Sequence, residues 1–183
     1  LICEVEIANP TWQIKHWKTI EQQYGKSAYF TLYNEYLKEI YLGKKWKNLS
    51  DLNQHLIFMI SKDILKISTS FEDSRNYRLS GRKQERLLDL IAQTSTSHYV
   101  SGPAARDYIN PHAFSEMGVE LIWKDYSGYP EYPQRHPPFE HGVSVLDLIF
   151  NVGPQASWYI WGWREEQAAH STGTDQKSDK SLS

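Results

Sequence analysis

The chain has 183 residues, with 20 Lys and Arg against 22 Asp and Glu and a formal net charge of -2. That length suits one domain with a real core, and the near balance of charge argues against a nucleic-acid binder, which is usually strongly basic. A single cysteine, Cys3, allows no internal disulfide and fits a reducing compartment. No apolar run approaches the ~18 residues of a spanning helix, and no signal-peptide pattern is present. A cytoplasmic protein without an integral membrane segment is expected.

The opening "LICEVEIANP" carries strand-like Ile2, Val5 and Ile7 and no initiator Met. It predicts a strand that has lost upstream partners, so that an N-terminal strand and helix are expected to be missing. Asn9-Pro10 ends this segment. A helix is predicted over 11–24, with Trp12, His16, Ile20 and Tyr24 on one face, because residues four apart lie above one another. A second helix over 28–42 buries Phe30, Tyr33, Leu37 and Ile40 and stops at Gly43; a third, over 49–65, starts at Asn48 or Ser50, both good N-caps. The pattern then changes. "KISTSF" reads as a strand, Arg82 to Gln93 as a helix, "SHYV" as a strand, Asn110-Pro111 as the cap and first turn of a short helix ended by Gly118, and "VELIWKDY" as a strand. Strands alternating with helices predict an α/β fold: a small, mostly parallel sheet with right-handed βαβ crossovers, packed by helices that include an N-terminal helical segment. Residues 127–142, rich in Pro, Tyr and His, form a long loop. Ser144 caps "VLDLIFNV", Gly153-Pro154 breaks the chain, and a Trp-rich helix follows. Residues 1–166 are expected to form a single domain, and the polar tail 167–183 to be disordered.

In an open parallel sheet, ligands sit beyond the carboxyl ends of the strands. Ser101 and Gly102 fall at such an end: glycine lets a ligand approach the backbone, and amides at a helix start attract anions. The plain alternative is a tight turn with Ser101 capping the next helix. Arg75, Arg78, Arg82 and Lys83, in the loop after "KISTSF", are expected near Ser101, where they would suit a phosphate or carboxylate. On the first helix, His16 is expected to be partly buried, as a hydrogen-bonded core histidine or as a general base beside the cations Lys15 and Lys18. Asp147 stands three residues after Ser144 and either bonds its own helix start or serves a site. His112, His136 and His141 lack the spacing and supporting cysteines of a metal site, so neither metal nor cofactor is expected. The chain also lacks a Gly-x-Ser-x-Gly elbow and a phosphate loop.

Taken in order, "KHWKTIEQQYGKSAYF", "HYVSGPAARDYI", "PEYPQ" and "SVLDLIFNVG" resemble the WbqC-like protein family over nearly the whole chain. Lys15 and His16 match that family's Lys-His pair, Tyr24 and Lys26 its Tyr-x-Lys, and Ser101, Gly102, Asp107 and Tyr108 its strand-end signature. Gln134 matches the glutamine of the aromatic-Pro-Gln loop, while Ser144 and Asp147 match the Ser-x-x-Asp before the apolar helix. The family's opening apolar strand and its "Gln-Pro … Gly-Tyr-Phe" segment have no counterpart here, and Ala104-Ala105 stand where a further glycine is common. The resemblance implies a transferase of bacterial O-antigen (lipopolysaccharide) biosynthesis, passing an aminoacyl (glycyl) or acyl group to an activated sugar. The expected partner is a small phosphorylated or nucleotide sugar, not nucleic acid. The implied roles are His16 and Asp107 as catalytic residues and Lys15, Lys18, Tyr24, Lys26, Ser101, Gly102, Tyr108, Gln134 and Asp147 as substrate-binding residues. The alternatives are a nucleotide-binding enzyme of nucleotidyltransferase type and a non-enzymatic scaffold of a polysaccharide assembly complex.

Overall fold

Caps and apolar periodicity place most of the helices. A computed structural model describes residues 2–9 and 11–165, so the expected tail 167–183 lies outside the described residues. The first three helices are α1 (Trp12–Tyr24), α2 (Phe30–Leu42) and α3 (Leu49–Met59), the last continued by a π-helical turn, Ile60–Ile64. Asn48 caps α3 by accepting from the Asp51 amide at 3.1 Å. Next come α4 (Lys83–Gln93), β1 (His98–Ser101), α5 (Pro111–Glu116), β2 (Glu120–Trp123) and α6 (Val145–Val152). Asn110 caps α5 as its sequence predicts, accepting from the His112 amide. No helix among the described residues is long and apolar enough to cross a membrane.

The described residues pack as two units. One draws on Leu1–Thr69 and Tyr129–Ser183, the other on Ser70–Gly128. In the first, α1, α2 and α6 bury Trp17, Ile20, Phe30, Leu37, Ile40, Leu146 and Phe150 together. The other side of α6 presents Leu148, Ile149 and Val152 to Leu65 and Ala156. Helix α6 is buried nearly all round, the pattern of a central element rather than an amphipathic surface helix.

The second unit holds the sheet. β1 and β2 pair in parallel, with His98 opposite Glu120, Val100 opposite Ile122 and Ser101 opposite Trp123. The connection between them carries a 3-10 turn, Pro103–Asp107, and α5. The α/β class and the small parallel sheet packed by helices are therefore as expected, with two strands. Ile91, Ala105, Ile109, Phe114 and Val119 form the core, with Tyr99, Leu121 and Trp123 packed on it from one face of the sheet.

Two expected strands do not form. The "KISTSF" segment folds back on the end of α3: Lys66 takes a left-handed φ of 58°, the Ile67 amide bonds the Ser61 carbonyl at 2.9 Å, and the Lys62 ammonium bonds the Thr69 carbonyl. The Ile67 amide and the Thr69 carbonyl are thus used locally instead of in a ladder. The opening segment forms a 3-10 turn, Ile2–Glu4, then a single antiparallel bridge of Glu6 to Asn48. It lies against the link into α3 instead of joining the sheet.

Candidate functional site

The face of α1 is set by a polar residue. Gln13, Trp17 and Ile20 are its buried positions, one residue round from the predicted Trp12–His16 stripe. Gln13 donates to the carbonyls of Tyr41 and, at 2.7 Å, Lys44, and accepts from the Trp46 amide. It thereby satisfies backbone groups at and beyond the end of α2, which helices leave without intrahelical partners. His16 is consequently exposed, not partly buried. Its ring stands edge-on to Tyr41 at 5.2 Å and tilted to Trp12 at 6.0 Å. Lys15, Lys18 and Lys26 are also exposed.

Three of the predicted residues meet within the first unit. Asp147 is a buried carboxylate, 9% exposed, on the first turn of α6. Ser144 caps the helix through the Leu146 amide, and the Asp147 carboxylate does not turn back to the helix start. Its Oδ1 accepts from the Tyr132 hydroxyl at 2.7 Å and from the Gln134 amide at 3.0 Å. The phenol pKa of Tyr24 is raised by burial first, then by the neighbouring Asp147 carboxylate. Burial and the same carboxylate push Tyr132 up as well. Both phenols thus remain neutral donors at physiological pH. Gln134 also clamps its own loop, donating to the Glu140 carbonyl and accepting from the Glu140 amide, both at 2.8 Å. Through Tyr132 and Gln134 the carboxylate ties this loop to the start of α6. Tyr132 is the member that sequence reasoning missed. Its signal was its place two residues before Gln134 in "YPQ".

In the second unit, Ser101 and Gly102 lie at the carboxyl end of a parallel strand, as predicted. Ser101 is a buried polar residue, 8% exposed. The 3-10 turn that follows is capped by Gly102 with no side-chain hydrogen bond, so Ser101 is not a helix cap. Gly102 has φ −71° and ψ 153°, angles open to any residue. A Cβ built there would meet the Tyr126 hydroxyl at 3.7 Å, ordinary contact. One cation at this edge is Arg106, whose guanidinium lies 5.2 Å from the centre of the Trp123 ring. Its signal was the parallel register that sets Trp123 beside Ser101. In the loop with the expected cations, the Arg75 side chain and parts of the main chain bond to near neighbours. Asp73 holds Arg75 at 2.6 Å, Ser80 bonds Asp89, and Gln93 bonds the Arg78 carbonyl. Asp107, the last residue of the turn, and Tyr108 after it are exposed.

Among the described residues no three His, Cys, Asp or Glu side chains gather as metal ligands. His112 faces Glu116 at 3.4 Å and His141 packs on the Phe139 ring. Beside the end of α2, a cavity lined by Glu39, Lys44, Trp46 and His55, among others, contains none of the predicted residues.

The model of the WbqC-like protein family matches residues 1–159. The uncharacterized protein Rv1507c of Mycobacterium tuberculosis is 40% identical over 159 residues, spanning 87% of this chain and 68% of that protein. No solved structure gives a significant match.

Proposed function

The chain belongs to the WbqC-like protein family, and from that premise we propose that it is a cytoplasmic transferase of bacterial O-antigen assembly. It passes an acyl or aminoacyl (glycyl) group to an activated sugar. One observation carries the reading: Gly102, at the carboxyl end of β1, is a glycine that neither its backbone angles nor its packing requires. Close approach of a ligand to the main chain does require one, and the carboxyl end of parallel strands is where such ligands sit. Arg106 supplies a cation at this edge, suited to the phosphate of a nucleotide sugar. Asp107 and Tyr108, exposed at the end of the turn, are given the orienting role.

For the first unit, the reading assigns His16 the part of general base, with Lys15 and Lys18 as exposed cations on the same helix. The base takes the proton of the sugar hydroxyl, the hydroxyl oxygen attacks the acyl carbonyl, and the bond from that carbonyl to the donor's leaving group breaks. Gln134 and Asp147, tied to Tyr132, fix the loop that carries Gln134, and are given a substrate-binding part.

Calorimetry tests the reading. A nucleotide sugar binds at least about tenfold better than the same free sugar, since charge-assisted hydrogen bonds carry the difference. Ser101→Ala narrows the gap, and Gly102→Val abolishes binding while the protein stays folded. Equal binding of charged and uncharged sugars defeats the proposal and favours a scaffold.

A further inference from the structure

Among the described residues, β2 has an open edge. Within the sheet, the amides of Glu120 and Lys124 bond the carbonyls of Ser97 and Ser101, at 2.8 and 2.7 Å. In a strand the N–H and C=O of one residue point to one side and those of its neighbours to the other. Glu120, Ile122 and Lys124 therefore turn their main chains towards β1, and Leu121 and Trp123 turn theirs away. The sheet has only these two strands among the described residues, so the outward groups of Leu121 and Trp123 have no ladder. The sheet face away from the core is also apolar and open: Val100 is 57% exposed and its register partner Ile122 37%.

We propose that this edge of β2 pairs antiparallel with the same edge of a second copy of the chain, about a two-fold axis through Ile122. In that register Leu121 of each copy faces Trp123 of the other. All four residues direct their main-chain groups to the interface, so the hydrogen-bonded pairs fall where antiparallel pairing requires them. Ile122 meets Ile122 in a non-hydrogen-bonded pair, where side chains come closest. Glu120 stands opposite Lys124 at both ends, giving two symmetry-related pairs of opposite charge on the open face. Slipping by one residue sets outward groups against inward ones and flips every side chain to the other face. Slipping by two keeps the phase but places charges against Ile122. The free edge of β1, "SHYVS", offers no such pair of opposite charges, so the charge pattern selects β2. Two-fold pairing of like surfaces is the commonest route to a homodimer, and it covers an edge that otherwise invites aggregation.

A contact of about five residues a side is smaller than a standard interface of ~1,600 Å², so the dimer dissociates on dilution. Sedimentation of the whole chain over a range of concentrations tests the proposal, with the variants Glu120→Lys and Lys124→Glu. The wild type shows a monomer–dimer equilibrium. Each variant alone sets like charges opposite each other twice and associates at least about tenfold more weakly. An equimolar mixture of the two regains association, because both pairs then join a lysine of one chain to a glutamate of the other. A wild type that stays monomeric throughout overturns the proposal, as do variants that associate like the wild type. A mixture that fails to recover overturns the register.

Discussion

Asp147 shows how one carboxylate sets the chemistry of its neighbours. It accepts from Tyr132 and Gln134 in a buried position, so truncating it leaves partly buried donors without their acceptor rather than removing a surface charge. Asp147→Ala should lower the unfolding free energy by about 2–4 kcal/mol, and Tyr132→Phe by about 1–2 kcal/mol, with urea denaturation as the measure. Loss of less than ~0.5 kcal/mol for Asp147→Ala would mean that the cluster is solvated. The same contacts set an alkaline limit. Tyr24 and Tyr132 have phenol pKa values raised above the ordinary 10.0 by burial first and by Asp147 next, so the unfolded chain releases these protons before the folded one does. Their contribution to stability is complete below pH ~10 and is lost as pH rises towards the folded values. Unfolding midpoints should be flat from pH 7 to 9 and fall above 10, less steeply in Tyr132→Phe.

Among the elements, two glycines at chain breaks look alike in sequence and behave oppositely. Gly153, after α6, has φ 57° and a Cβ there would stand 2.3 Å from the Tyr29 ring. Gly153→Ala therefore forces both a left-handed alanine and a shifted ring, and should destabilise the protein by about 2–4 kcal/mol. Gly102 has ordinary angles and room for a methyl, so Gly102→Ala should leave stability unchanged or raise it by up to about 1 kcal/mol. Thermal unfolding of the two variants checks the contrast. Sequence could name both glycines but not separate them, because the difference lies in φ and in the ring of Tyr29, just before α2. The helices were legible where caps mark them: Asn48, Asn110 and Ser144 all cap as their types predict. The face of α1 was not, because Gln13 is buried by its bonds to the end of α2, a tertiary demand that periodicity does not carry. For the same reason "KISTSF", which has strand composition, is held in a turn by Ser61 and Lys62.

On the scale of the whole molecule, the change of pattern after residue 65 marks the passage from helices to strand and helix. The units divide close by, with Ser70–Gly128 forming one and the flanking segments the other. Of the predicted site residues, the sequence placed Ser101 and Gly102 correctly at a strand end and grouped Gln134 with Asp147 only through family resemblance. Which side chains close around them depends on register and loop path. The two units also differ in what holds them. The first buries Leu37, Ile149 and Phe150 completely across two apolar clusters, while the second rests on one cluster around Phe114 and a two-stranded sheet with one face open. Small cores bury a smaller share of their surface and are correspondingly marginal, and local opening follows such differences. Native-state hydrogen exchange should therefore find the amides of Glu120 and Lys124, which carry the ladder, opening at a free energy at least about 1–2 kcal/mol below those of Leu37 and Phe150. Equal opening energies at all four amides would show instead that the two units unfold as one.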